Sequence, residues 1–192
     1  VFEREMRVED VKLTSSPNHI TNFVSKKVLF DLNFASRFQL FDPDDPARYQ
    51  LYAKLGISLA LPNAWLLKGS YGFNVRNNFD ESTRTSDSVL PKVRTDIIEY
   101  LVQGDSGLDS FYLEKRDTFD KGVHYRFFSG ILESMYSGVG GEVLWQPFQS
   151  RIAFGLGASW VKKRDFKKNL RHLNYNTSTY LASMYWASPF YN

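Results

Sequence analysis

Apolar and polar residues alternate with a period of two along most of the chain, which is the pattern of a β-strand with one apolar and one polar face. From Tyr49 to Leu61 every odd position is apolar or aromatic, whereas the even positions include Gln50, Lys54 and Ser58. A helix would repeat its apolar positions at intervals of three and four. The segment therefore predicts an amphipathic strand.

The same pattern predicts about eight or nine strands. They are Val28–Leu40, Tyr49–Leu61, Trp65–Arg76, Leu108–Asp117, Val123–Met135, Val139–Trp145, Arg151–Val161 and Tyr175–Ser188, with Phe2–Leu13 as a possible ninth. Most are roughly 10 to 15 residues long, whereas ordinary strands have about 5 or 6 and membrane-spanning strands need about 9 to 11. The prediction is an all-β, antiparallel, up-and-down outer-membrane β-barrel, in which residues 1–192 form a single barrel domain or a portion of a larger barrel.

One segment has helical spacing instead. Val93, Ile97, Tyr100 and Leu101 recur at intervals of three and four, and Gly104 is a suitable stop. We expect a short helix near 93–103, inside a long loop from about 77 to 107.

The predicted connections alternate in length along the chain. Those near 62–64, 118–122 and 147–150 are short, and those near 42–48, 77–107 and 162–174 are longer; the tight break near 137–139 is the exception. Bacterial barrels have short periplasmic turns and long outer loops. The long loops are therefore expected to face outward.

Alternation is also typical of a soluble antiparallel sandwich, which would pack the apolar face into a core. In a barrel that face contacts lipid, and the polar face lines a lumen. Trp65, Trp145 and Trp160 near strand ends suit interfacial girdles. The candidate ligand-binding residues of the lumen, which could equally form lumen salt bridges, are Asp31, Arg37, Lys54, Lys68, Arg76, Arg126 and Glu142.

A second candidate site is the densest cluster of basic residues. The simpler interpretation is a solvated loop with no ligand; the functional alternative is that this cationic loop attracts acidic polysaccharide or lipopolysaccharide phosphates. Its members are Lys162, Lys163, Arg164, Lys167, Lys168 and Arg171.

Composition narrows the function classes. A net charge of only +3 argues against nucleic acid as a partner, and the absence of cysteine excludes disulfides and thiolate chemistry. The three histidines lack zinc-type spacing, and no nucleophile-elbow motif occurs. We expect no enzyme activity, no metal and no cofactor. An outer-membrane enzyme that modifies lipid or glycan stays open as the alternative.

Two observations concern the limits of the chain. It begins at Val1 and shows no basic-then-apolar leader, so we expect a processed or excised piece. No apolar run approaches the roughly 18 residues of a spanning helix, which argues against a helical membrane protein.

The segment Glu133–Phe148 resembles a motif of the YjbH family, Glu-x-Met-Tyr-x-Gly-x-Gly-Gly-Glu-Val-Leu-x-x-Pro-Phe. Leu90–Asp96, Trp160–Phe166 and Tyr185–Tyr191 are similar to further family segments, in the same order. The resemblance implies a Gram-negative outer-membrane protein, often a lipoprotein, encoded with exopolysaccharide or capsule genes. It implies that this chain is a C-terminal-side portion of a longer protein. Its expected partners are outer-membrane lipid or lipopolysaccharide, the polysaccharide and other secretion-system proteins.

Overall fold

The computed structural model describes residues 27–40, 47–81, 89–120 and 122–188. Eight antiparallel strands form one sheet whose order follows the chain, as expected for an up-and-down meander. The strands are β1 (Val28–Leu40), β2 (Ala47–Ala60), β3 (Trp65–Asn77), β4 (Gly107–Asp120), β5 (Val123–Ile131), β6 (Tyr136–Trp145), β7 (Ile152–Arg164) and β8 (His172–Trp186). A 3-10 turn (Phe79–Glu81) and one short helix, α1 (Ile97–Val102), lie between β3 and β4. The all-β fold and the helix are confirmed.

The sheet is open. Among the described strands, β1 pairs only with β2 and β8 only with β7, so these eight strands do not close into a barrel. They also form one sheet and not the two packed sheets of a sandwich. The possible strand Phe2–Leu13 and the turn at 42–46 lie outside the described residues.

Several predicted boundaries need correction. β5 ends at Ile131 instead of Met135 and β6 begins at Tyr136 instead of Val139, so their connection is 132–135 and the predicted break near 137–139 lies inside β6. β7 continues to Arg164 instead of ending at Val161, and β8 begins at His172, so the connection is only 165–171. The helix is confined to 97–102. Sequence alternation missed the end of β7 because Lys163 and Arg164 read as loop residues, whereas both are buried.

The strand register collects the apolar side chains on one face. Across β1 to β3, Phe34 lies opposite Ala53, which lies opposite Phe73. This apolar face is uncovered: Phe34 is 78% exposed and Leu156 on β7 is 69% exposed.

The fully buried charged side chains lie on the opposite, polar face. Arg48, Glu114 and Arg164 are each 0% exposed. On this sheet many large apolar side chains are exposed and several charged side chains are buried, which is the reverse of the arrangement in a water-soluble protein. Within the described residues, no helix has the length and hydropathy that a membrane crossing requires.

We predict that Gly138 and Gly141 of β6 respond differently to alanine. A Cβ at Gly138 would lie 2.8 Å from the Val161 Cα and against the Trp160 carbonyl, and neither backbone atom can move aside. Gly138→Ala should lower the free energy of unfolding by about 1–3 kcal/mol, in the range of overpacked sites.

Gly141→Ala is the matched control, because its Cβ would meet only the Arg126 carbonyl oxygen, at 3.5 Å. Urea titration of the full-length protein, followed by tryptophan fluorescence, measures both variants. Equal losses of stability at the two positions would contradict the register of β6 against β7.

Candidate functional site

A cavity of about 840 Å³ opens on the polar face, in the half of the sheet next to the short connections 121–122 and 146–151. We call it the short-turn cavity. Its volume falls within the roughly 300–1,000 Å³ of small-ligand pockets. Side chains of β4 to β8 line it, which shows that the sheet curls around this face; they include Arg116, Arg126, Phe128, Glu142, Thr179 and Tyr185.

A row of ion pairs crosses this region from strand to strand. The carboxylate of Glu114 is fully buried, with Oε1 2.6 Å from Arg116 Nε and Oε2 2.7 Å from Arg126 Nη2. Arg126 also lies 3.4 Å from Glu142, and its guanidinium stacks 4.8 Å from the Phe128 ring centroid. A buried carboxylate is tolerated only when it is paired in this way.

Glycines and hydroxyl groups form the rest of the surface. Gly155 and Gly157 are positions on the polar face of β7 where no side chain fills the space. Beside them, the hydroxyls of Ser159 and Thr179 are hydrogen-bonded at 2.6 Å. At the rim, Thr118 Oγ1 and His124 Nδ1 are 2.9 Å apart. The cavity thus offers cationic, hydroxyl and aromatic groups together, which suits a polar ligand rich in hydroxyls.

The other half of the polar face, next to the longer connections, is filled by protein. Tyr100 of α1 packs with Met135 and Tyr136 in a buried cluster, and its ring meets Phe166 edge-on at 5.0 Å. The Tyr100 hydroxyl donates to the backbone carbonyl of Arg164. Burial raises the pKa of Tyr100, so it remains a hydrogen-bond donor at neutral pH.

Arg164 is the centre of this half. Its two terminal nitrogens donate to the carbonyls of Leu108, Glu133, Ser134, Lys168 and Asn169, at 2.7 to 3.1 Å. One guanidinium therefore ties the start of β4 to the connections 132–135 and 165–171.

Lys163 fixes the segment 89–106 to β7. Its ammonium donates to Asp96 at 2.6 and 2.8 Å and to the Lys92 carbonyl, and the pair is nearly buried. The Tyr136 hydroxyl adds a bond to the Val93 carbonyl at 2.5 Å. Lys168 lies 3.4 Å from Asp109, and burial lowers its pKa. We call Lys163, Arg164, Asp96, Tyr100 and Tyr136 the anchor network.

The predicted basic cluster divides into two groups. Lys163, Arg164 and Lys168 are buried in or beside the anchor network, so they hold the fold together. Lys162, Lys167 and Arg171 are exposed. The six residues do not form one cationic surface, and only the exposed three remain available to an anionic ligand.

The seven lumen candidates are spread over the sheet. Arg126 and Glu142 meet in the short-turn cavity, whereas Arg37 donates to Gln50 at 2.9 Å and stacks over Tyr52. Asp31 accepts from Asn33 at 2.9 Å. The remaining three are Lys54 and Lys68, which are half-buried on the polar face, and Arg76, which is exposed.

A β-bulge explains the position of Arg76. The register of β2 with β3 shifts between Leu51 and Tyr52, which places Arg76 opposite Leu51 of the apolar face. A bulge changes the face of every residue beyond it. Sequence alternation alone does not reveal that shift.

Glu114, Arg116 and Phe128 were not among the sequence candidates, although Arg116 and Phe128 line the cavity and Glu114 contacts two of its arginines. The sequence did show that Glu114 and Arg116 occupy alternate positions of one predicted strand and therefore share a face. The contact between Glu114 and Arg126 depends on the register between β4 and β5, in which Arg116 lies opposite Arg126.

Residues 3–192 match the family model described as exopolysaccharide biosynthesis protein YbjH. The chain is similar to the uncharacterized lipoprotein YjbH of Escherichia coli (strain K12), with 36% identity over 138 residues. That alignment covers 69% of this chain and 20% of the relative, so the chain spans about a fifth of the relative's length. No solved structure matches.

We predict that Asp96→Asn loosens the segment 89–106. The substitution leaves the buried Lys163 ammonium without a carboxylate, and breaking such a pair costs about 3–5 kcal/mol. Trypsin cleavage after Lys92 and Arg94 in the full-length protein should therefore become faster.

The matched control is Glu99→Gln in the same helix, because within the described residues the Glu99 side chain accepts a hydrogen bond from Gln103 alone. Cleavage at the wild-type rate in Asp96→Asn, or equally fast cleavage in both variants, would show that Lys163–Asp96 does not fix the segment.

Proposed function

Because the chain belongs to the YjbH family of exopolysaccharide biosynthesis proteins, we propose that it forms part of an outer-membrane β-barrel that assists the secretion or assembly of a surface polysaccharide without catalysing a reaction. Membership confirms the resemblance carried by Glu133–Phe148. The E. coli relative is a lipoprotein, which implies that it is anchored to a membrane of the cell envelope. The more specific location in the outer membrane is part of the proposal.

The observation that carries the proposal is the reversed burial of the sheet. Phe30 is 72% exposed and Phe34 78% exposed on the apolar face, while Glu114 and Arg164 are 0% exposed on the polar face. Each Å² of apolar surface removed from water stabilises by about 25 cal/mol. Lipid against the apolar face supplies that gain, and polar interiors with apolar exteriors characterise membrane barrels.

The open edges support a larger barrel. β1 and β8 are 13 and 15 residues long, and each pairs on one side only among the described strands. Unpaired backbone groups are not tolerated in the bilayer, so a spanning sheet has to close. The chain covers about 20% of its relative, so we propose that strands from the rest of the full-length protein pair with these edges.

The connections suggest an orientation. With short turns on the periplasmic side, as in bacterial barrels, the short-turn cavity opens toward the periplasm and the segment 89–106 narrows the outer half of the lumen. Lys162, Lys167 and Arg171 would then lie at the outer end, where lipopolysaccharide phosphates are available to exposed cations.

Comparing the surface polysaccharide of cells with and without the full-length protein tests this function. We expect less polysaccharide at the surface without the protein, with unchanged sugar composition and linkages. Normal export of a chemically altered glycan would contradict the proposal and favour an enzyme.

We predict that Leu156→Arg prevents stable insertion into the outer membrane. Leu156 lies on the apolar face near the middle of β7, where an arginine facing lipid costs about 2–4 kcal/mol. The membrane fraction that resists extraction with urea should fall sharply.

Leu170→Arg is the matched control, because Leu170 has a similar exposure, 75% against 69%, but lies in the connection 165–171. That variant should insert like the wild type. Normal insertion of Leu156→Arg would contradict lipid contact at this face.

A further inference from the structure

The guanidinium of Arg116 is only partly used by the protein. Its Nε contacts Glu114 at 2.6 Å, but its side chain is 60% exposed and lines the short-turn cavity. Its two terminal nitrogens have no further partner in the described part of the chain. They are therefore free to donate hydrogen bonds to water or to a ligand in the cavity.

Arg126 in the same cavity and Arg164 in the other half of the polar face differ in this respect. Arg126 contacts Glu114 on one side and Glu142 on the other, and it stacks on Phe128. Arg164 is surrounded by backbone carbonyls. Among the cavity arginines, Arg116 therefore combines an orienting contact with open donors.

Among the described residues, the carboxylates around Arg116 do not contact its terminal nitrogens. Glu114 is one carboxylate shared by two guanidinium groups. Glu142 lies 3.4 Å from Arg126. Asp117, which also lines the cavity, turns its Oδ1 to the backbone N–H of Thr118 at 2.8 Å.

We propose that the short-turn cavity binds a carboxylate-bearing sugar residue, such as a uronate, and that Arg116 binds its carboxylate. Arginine and carboxylate form paired, charge-assisted hydrogen bonds, which suit the two open nitrogens. Ser183 and the Ser159–Thr179 pair offer hydroxyls for the sugar, and Leu181 and Tyr185 offer apolar contacts. The identity of the sugar as part of a polysaccharide rests on the proposed function.

Glu114 acts here as a positioning residue. It holds Nε of Arg116, so the opposite edge of the guanidinium faces the cavity. Because Glu114 itself is 0% exposed, the ligand reaches the arginine and not the carboxylate.

Calorimetric titration of the detergent-solubilised full-length protein tests the site. The probes are tetragalacturonate, the neutral maltotetraose of the same length, and inorganic phosphate. We expect tetragalacturonate to bind at least tenfold more tightly than either other probe. Arg116→Gln should weaken tetragalacturonate binding at least tenfold, and Arg116→Lys, which keeps the charge, should weaken it less.

Arg151→Gln is the matched control, because Arg151 is an exposed arginine near the same end of the sheet that does not line the cavity. It should leave the affinity unchanged. A second measurement needs no variant: tetragalacturonate should slow the modification of Arg116 by phenylglyoxal, followed by mass spectrometry, and leave Arg151 unprotected.

Equal binding of maltotetraose and tetragalacturonate would overturn the carboxylate inference while leaving a glycan-binding lumen intact. Phosphate binding as tight as that of tetragalacturonate would overturn recognition of a sugar. Absence of binding in a protein that still supports normal polysaccharide secretion would overturn the inference and leave the proposed function standing.

Discussion

The placement of charged side chains on the enclosed face of the sheet is the constraint on which the rest of this structure depends. A buried charge is costly unless a partner of opposite charge or several hydrogen bonds compensate it. Glu114 meets this requirement with Arg116 and Arg126, and Arg164 meets it with five backbone carbonyls. Once these groups are fixed, the period of two directs the apolar side chains to the opposite face.

The two kinds of compensation divide the polar face into halves with different character. Around Arg164 the partners are carbonyls of connecting segments, so compensation draws those segments inward together with α1 and closes that half. Around Glu114 the partners are strand side chains, Arg116 of the same strand and Arg126 of β5, so no loop is needed and a cavity of about 840 Å³ remains. Under the proposed function, a filled half next to the longer connections and an open half next to the short ones would suit a protein that receives a polymer from one side.

Local pattern was sufficient for the strands and the helix, because each depends on residues within one segment. The alternation from Tyr49 to Leu61 predicted β2, and the spacing of Ile97, Tyr100 and Leu101 predicted α1. The glycine-rich part of Glu133–Phe148 predicted the family. The end of β7 was missed because Lys163 and Arg164 look like loop cations until the carboxylate and carbonyls that bury them are brought close by the fold. The cavity was missed for the same reason, since Glu114 and Arg126 become partners only through strand register.

Lipid contact by the apolar face is the central claim, and spin labelling along β7 tests it most directly. The sequence contains no cysteine, so single cysteines can be introduced at positions 154 to 159 of the full-length protein in lipid bilayers. The account predicts that collisions with oxygen peak at positions 154, 156 and 158, while a water-soluble nickel reagent reaches 155, 157 and 159. Access of the nickel reagent to all six positions, without alternation, would contradict it.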